Sequence, residues 1–233
     1  MTEQTSGPIP ELTVAIAAYN ERATIMQVLE RVIAVPVTKQ IIVVDNCSTD
    51  GTRELLADVD DSVEVIFQPR NLGKGTSIRT AITHARGEYF IIQDADLEYE
   101  PEQYPRLLSY AREHDLDALY GSRVMDGRNT NYVGYYFGVQ ALTWMTNVLY
   151  GARLTDVATA CKMFRTSVVS KLNLRGASFD LDFEVTNKIC RDNWRIGEVP
   201  VPYHPRTFDE GKKIRSRDGL SAAYVIIRDR FIE

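Results

Sequence analysis

The chain has 233 residues, 44% hydrophobic and 25% charged, with a net charge of −5. That length is enough for one sizeable core, and the acidic balance argues against general nucleic-acid binding. The three cysteines (Cys47, Cys161, Cys190) and three histidines (His84, His114, His204) are too scattered for a disulfide framework or a structural zinc site, which fits a reducing cytosol.

Residues 1–11 are polar with two prolines and lack the basic and apolar regions of a leader. They are expected to form a flexible N-terminus without a signal peptide. From there the first half alternates strand and helix patterns. Strands are expected at 12–18, 40–44, 63–67, 89–93 and 118–120. Helices are expected at 23–33, from 52, at 74–85, and from Pro101 to about His114. Such repeats imply an α/β fold whose mostly parallel sheet is covered by helices on both faces. Ligands of such sheets bind beyond the carboxyl ends of the strands. Asn20, Asp45, Asn71 and Asp94 each lie at or just past one of those ends, so four loops converge on one rim.

The second half is less regular. Residues 129–152 contain no charged side chain. Gln140, Thr143 and Asn147 share one helical face, with Val133, Phe137, Ala141, Trp144 and Val148 elsewhere around it. Three readings stay open: a membrane span, a helix buried in the core, and a helix lying in a membrane interface. Tyr132, Tyr135, Tyr136, Phe137 and Trp144 favour the interfacial one. A helix is expected at 182–193 and a strand at 196–201. The stretch 206–217 then holds five basic residues against Asp209 and Glu210. The tail, 219–233, reads as an amphipathic helix.

The most informative motif is Gln93-Asp94-Ala95-Asp96. Other Asp-x-Asp pairs occur at Asp58/Asp60, Asp115/Asp117 and Asp180/Asp182, but only Asp94/Asp96 follows an uncharged apolar strand. Two aspartates there form a hard oxygen site suited to Mg²⁺ or Mn²⁺ bridging the phosphates of a nucleotide. The plain alternative is a strand-end turn with solvated carboxylates.

In chain order the rim loops read Ala18-Tyr19-Asn20-Glu21, Val44-Asp45-Asn46-Cys47-Ser48-Thr49-Asp50-Gly51-Thr52, Asn71-Leu72-Gly73-Lys74-Gly75 and Gln93-Asp94-Ala95-Asp96. From about residue 12 to about residue 220 the set resembles the inverting GT-A glycosyltransferases of family 2. Within that group it is most similar to the dolichyl-phosphate mannose and glucose synthases and their bacterial polyprenyl-phosphate relatives. The resemblance implies a Rossmann-like GT-A catalytic domain at 12–218, with 129–152 as an interfacial helix and 219–233 as a separate C-terminal helix. It implies a nucleotide pocket built from Ala17, Tyr19, Asn20, Glu21, Asp45, Lys74 and Ala95. Asp45 can accept a base N–H or serve as a turn residue, and Asp50 is expected to cap the next helix. Lys74 and Arg79 face either a phosphate or solvent.

The same resemblance makes Asp94 and Asp96 the metal ligands, with Glu98 as a third. It points Arg123 of Gly121-Ser122-Arg123 at a phosphate, the alternative being a structural salt bridge. Arg206 and Lys213, with Lys212 and Arg215, match the family's Arg…Gly-x-Lys stretch and would position phosphates. The chain departs from the lipid-phosphate members at Lys212, where many have serine, and within 155–164, where many carry Ser-Gly-Phe.

The expected reaction moves a sugar from a UDP- or GDP-sugar to a polyprenyl phosphate with inversion. It would occur at the cytosolic face of a membrane, the protein being peripheral there through 132–150 and the C-terminal helix, with a membrane-protein partner or a second copy beside it. A lipid phosphate is largely a dianion near neutral pH and needs cations more than a base. A hydroxyl acceptor would need a general base, for which Asp156 and Asp182 are the candidates; Asp156 can equally be a helix cap. A sugar-1-phosphate nucleotidyltransferase would need a glycine-rich loop where Tyr19-Asn20-Glu21-Arg22 stands. A non-catalytic binding module would not need the aspartate pair.

Overall fold

The computed structural model describes residues 8–125, 133–178, 180–206 and 216–232. Among them, seven strands form one sheet: β1 (Leu12–Ala18), β2 (Lys39–Asp45), β3 (Val63–Phe67), β4 (Tyr89–Asp94), β5 (Ala118–Ser122), β6 (Lys162–Arg165) and β7 (Ile196–Pro200), in the order β3-β2-β1-β4-β6-β5-β7. β1 pairs in parallel with β2 and β4, β2 with β3, and β5 with β7. β6 runs antiparallel between β4 and β5. The expected α/β sheet is therefore present, with one reversed strand that the chain pattern did not announce. β6 has only four residues, and charged side chains stand at both of its ends.

The strands are buried on both faces, which explains their near-continuous apolar runs. Side chains alternate between two cores. Val14, Ile16, Ile41, Val43 and Ile91 meet α1 (Ile25–Ala34) and α4 (Tyr104–Glu113) on one face. Ala15, Ile42, Val44, Phe90 and Ile92 meet α3 (Lys74–His84), α7 (Leu181–Arg191) and α8 (Ser216–Phe231) on the other. Pro101 opens a 3-10 turn, Pro101–Gln103, that leads into α4. The short helices α2 (Thr52–Ala57) and α6 (Thr166–Val169) follow β2 and β6, and α5 spans Val133–Tyr150.

α5 and α8 carry apolar side chains on both their inner and outer faces. On α5, Phe137, Ala141, Trp144 and Val148 fall at helical spacing and are exposed, while Thr143 and Thr146 are buried. Its polar face serves as glue: Asn147 donates to the Leu154 carbonyl at 2.8 Å and accepts the Leu154 N–H at 3.0 Å, and Gln140 donates to the Thr155 carbonyl. On α8, Leu220, Tyr224, Ile227 and Phe231 form an equivalent exposed stripe. The two helices pack together, and the Tyr150 hydroxyl donates to the Ile226 carbonyl at 2.8 Å. No described helix is long and apolar enough to cross a membrane. α5 buries one face, with Val139, Thr143 and Thr146 inside, and exposes the other through Phe137 and Trp144. The side chains of Tyr132, Tyr135 and Tyr136 lie outside the described residues.

Candidate active site

Strand register builds the site. Ala18 stands opposite Asp45, and Ala17 opposite Asp94, so β1, β2 and β4 end at one level. Their loops are stitched together by side chains. Asn20 adopts a left-handed backbone (φ 54°), which asparagine tolerates. Its N–H donates to Ser48 Oγ at 3.0 Å, and its Oδ1 accepts the Thr49 N–H at 2.8 Å. Asp50 accepts the N–H of Thr52, the first residue of α2, at 3.0 Å, but the N-cap position expected for it is held by Gly51, with no side-chain cap hydrogen bond. Asn46 donates to Asn71 Oδ1 at 2.9 Å and accepts the Leu72 N–H at 2.7 Å.

A cavity of about 250 Å³ opens at this rim. Of the residues expected there, Ala17, Tyr19, Glu21, Lys74, Asp94, Ala95, Asp96, Glu98 and Arg206 line it. Asn46, Ser178 and Tyr203 also line it and were not anticipated. Asn46 had a signal, since it adjoins Asp45 at a strand end. Tyr203 gave none beyond following a strand. Asn20 and Asp45 stand behind the lining. Asp45 is fully buried, accepts the Ser48 N–H at 3.2 Å and pairs with Arg53 at 3.3 Å. Its carboxylate thus organises the turn after β2 from just behind the cavity wall.

Asp94 and Asp96 are not the solvated turn that spacing alone allows. Asp94 Oδ1 lies 2.6 Å from Lys74 Nζ. Burial works against the charged form of Lys74, but Asp94, Asp182 and Asp96 outweigh it and hold its pKa above the ordinary lysine range. Arg206 Nη2 lies 2.5 Å from Asp96 Oδ2, and its Nη1 lies 3.1 Å from Glu21 Oε2. Burial, then the neighbouring Asp94 and Glu98, push the Asp96 carboxyl up to about 7, with Arg206 pulling the other way. Glu98 organises the chain after β7: it accepts the Tyr203 hydroxyl at 3.0 Å and the Arg206 N–H at 2.9 Å. It lines the cavity together with Asp94 and Asp96.

Among the described residues no three His, Cys, Asp or Glu side chains already converge as a cage for a metal ion. The donor set nevertheless fits Mg²⁺ or Mn²⁺ in kind. Two carboxylates, Asp94 and Asp96, share one cavity wall with Glu98 beside them. Mg²⁺ is commonly held by one or two carboxylates plus substrate phosphates.

Other expected residues sit elsewhere. Arg123 grips the buried Asp156 through Nε at 2.7 Å, Nη2 at 2.8 Å and its backbone N–H at 3.0 Å, and lies over the Tyr203 ring. Neither residue is among those lining this cavity, and the two are paired with each other at 2.7 Å. Asp182, in the first turn of α7, is also outside the lining and lies 3.7 Å from Lys162 Nζ. Burial lowers the Lys162 pKa to about 8 against the pull of Asp182 and Asp156. Arg79 donates to the Arg175 carbonyl. Lys212, Lys213 and Arg215 lie outside the described residues.

The loop 175–178 backs the nucleotide loop. Glu184 is fully buried and accepts the N–H groups of Arg175 and Gly176, at 2.9 and 2.6 Å, and the Lys188 ammonium at 2.6 Å. The Ala177 carbonyl then accepts the Thr76 N–H, and a Cβ on Gly73 would overlap it. Gly73 has φ +87° at the start of α3, so both space and backbone require glycine there.

The model of the family described as glycosyl transferase family 2 matches residues 13–172. The chain belongs to that family. It is 29% identical over 204 residues to the low-salt glycan biosynthesis hexosyltransferase Agl6 of Haloferax volcanii, covering 84% of this chain and 48% of that protein. It is 26% identical over 231 residues to a dodecaprenyl-phosphate galacturonate synthase of Rhizobium johnstonii, covering 94% of this chain and 65% of that protein. The chain thus spans about half to two thirds of these relatives. The fold is similar to that of glucosyl-3-phosphoglycerate synthase from Mycobacterium tuberculosis, solved with Mg²⁺ and UDP, at a TM-score of 0.70 and 16% identity, over 96% of this chain and 80% of that one. The expected GT-A architecture is thereby borne out.

Proposed function

We propose that this family 2 domain transfers a sugar from a UDP- or GDP-sugar to a polyprenyl phosphate, with inversion, by one in-line displacement. The observation that carries the reading is the pairing of Asp94 and Asp96 on a cavity wall flanked by Lys74 and Arg206. The presence of Mg²⁺ and UDP in a structural neighbour supports a divalent cation and a nucleotide donor. The name of the Rhizobium relative supports a polyprenyl-phosphate acceptor. A divalent cation held by Asp94 and Asp96 supplies electrostatic stabilisation of the leaving diphosphate. Tyr19 and Asn46 line the end of the cavity beside β1 and β2, where a nucleoside would rest. Lys74 and Arg206 supply positive charge for phosphates, and the walls limit water.

One observation favours the phosphate acceptor over a hydroxyl acceptor. The two candidate bases, Asp156 and Asp182, sit against Arg123 and Lys162 and do not line the cavity. A phosphate dianion needs neither. The exposed stripes of α5 and α8 support attachment to a membrane surface, with the exposed Arg230 near the end of α8 to meet anionic lipid. In this reading the protein is peripheral at the cytosolic face. The test is incubation with a panel of UDP- and GDP-sugars, Mg²⁺ or Mn²⁺, and short polyprenyl phosphates. Lipid-linked sugar is the expected product. Transfer to saccharide hydroxyls alone would overturn the acceptor assignment.

A further inference from the structure

Each aspartate of the pair already holds a cation belonging to the chain. Lys74, the first residue of α3, sits 2.6 Å from Asp94. Arg206, beyond β7, sits 2.5 Å from Asp96 and reaches Glu21 at 3.1 Å. These are not loose surface pairs: the side chains of Lys74 and Arg206 are 20% and 18% exposed. The Arg206 Nε is buried with no hydrogen-bond partner, so the guanidinium is held by its outer nitrogens. A divalent ion settling on both aspartates would have to displace an ammonium and a guanidinium and leave them facing it across the cavity, where like charges repel strongly. A nucleoside diphosphate removes that obstacle, because its oxygens offer the displaced cations new partners.

We propose that Lys74 and Arg206 are internal counter-ions exchanged during donor binding. The site then accepts a divalent cation only together with a nucleoside diphosphate, and the two side chains move from carboxylate to phosphate as the complex enters. This rests on the reading of Asp94 and Asp96 as metal ligands. Removing one counter-ion should make the bare site a better metal site while weakening its grip on the nucleotide.

The experiment measures Mn²⁺ bound to the full chain by equilibrium dialysis with electron paramagnetic resonance, without nucleotide and with UDP or GDP. The proteins are wild type, Arg206→Gln, Arg206→Lys and Lys74→Met, each checked for folding by circular dichroism. Without nucleotide, wild type and Arg206→Lys should bind Mn²⁺ weakly. Arg206→Gln should bind it about tenfold more tightly, the scale of one charge-assisted contact. Lys74→Met should shift the same way if it folds. With UDP or GDP the order should reverse, wild type retaining more Mn²⁺ than Arg206→Gln. Equal Mn²⁺ affinity of wild type and Arg206→Gln without nucleotide would overturn the exchange while leaving the metal assignment standing. Failure of wild type to retain Mn²⁺ with either nucleotide would overturn the metal assignment and the exchange together.

Discussion

Arg123 and Asp156 form a closed pair at the end of β5: two side-chain hydrogen bonds of 2.7 and 2.8 Å join a guanidinium to a carboxylate with no exposed surface. Glu198 on β7 fixes the other side, accepting the N–H groups of Thr155 and Asp156 at 2.6 and 3.0 Å. Asp156→Asn should therefore act on stability. Removing the buried carboxylate charge from this pair costs about 3 kcal/mol, readable in urea unfolding. The chemical step, followed in a single turnover, should stay within about tenfold. A drop beyond about a hundredfold at unchanged stability would instead make Asp156 the general base of a hydroxyl-acceptor enzyme.

Removing the cation should be as severe as removing its ligands. Chelation is expected to abolish sugar transfer, with Mg²⁺ or Mn²⁺ restoring it. Asp94→Ala and Asp96→Ala are each expected to lower turnover by at least about a hundredfold, the scale of a lost Lewis-acid contribution. Full turnover in chelator would remove the basis of the proposed chemistry.

Glu184 offers a pH signature. Burial raises its pKa, but Lys188 and the N–H groups of Gly176 and Arg175 prevail, and the carboxyl titrates below its ordinary 4.5. A depressed carboxylate pKa means that the folded state releases the proton more readily than the unfolded chain. The resulting stabilisation is complete above about 4.5 and is lost as pH falls through the lower folded value. Glu184→Gln should lack that acid limb. It should also be less stable near neutral pH by about 3 kcal/mol, since Lys188 loses its partner. Donor affinity should fall too, because the loop behind Lys74 loses its anchor. An acid-unfolding curve superimposable on wild type would contradict this account.

The apolar face can be tested without disturbing the core. Trp144 is 68% exposed and Tyr224 61%. Trp144→Glu and Tyr224→Glu should each reduce co-sedimentation with anionic vesicles by about tenfold, as expected for losing one large buried side chain. Folding stability should change by no more than about 0.5 kcal/mol. Unchanged vesicle binding combined with a loss of self-association would assign the face to a second copy.

Much of the nucleotide half was legible because its physics is local. β1, β2 and β4 are buried on both faces, so each appears as an apolar run, and β2 and β4 end in Asp45 and Asp94 at the rim. What escaped was set by distant partners. Nothing near Arg123 indicates that a carboxylate 33 residues later will take its guanidinium. β6 opens with Lys162, which has no exposed surface and is accepted there because the Asp182 carbonyl and the Tyr120 ring receive its ammonium. α5 misleads in a different way. Its polar residues look like a solvent face, but they bind the backbone at 154 and 155, and Phe137, Ala141, Trp144 and Val148 are left outside. The basic stretch around Lys213 was read from composition, and its placement lies outside the described residues.

The reversed strand also orders events during synthesis. β1 to β4 follow one another along the chain, and each pairing among them is available once β4 has emerged. β5 is made next, but both of its neighbours, β6 and β7, are encoded after it. On a ribosome the β1–β4 half can therefore assemble while β5 waits unpaired for the return of the chain. The four residues of β6 are the seam along which the two halves of the sheet are joined.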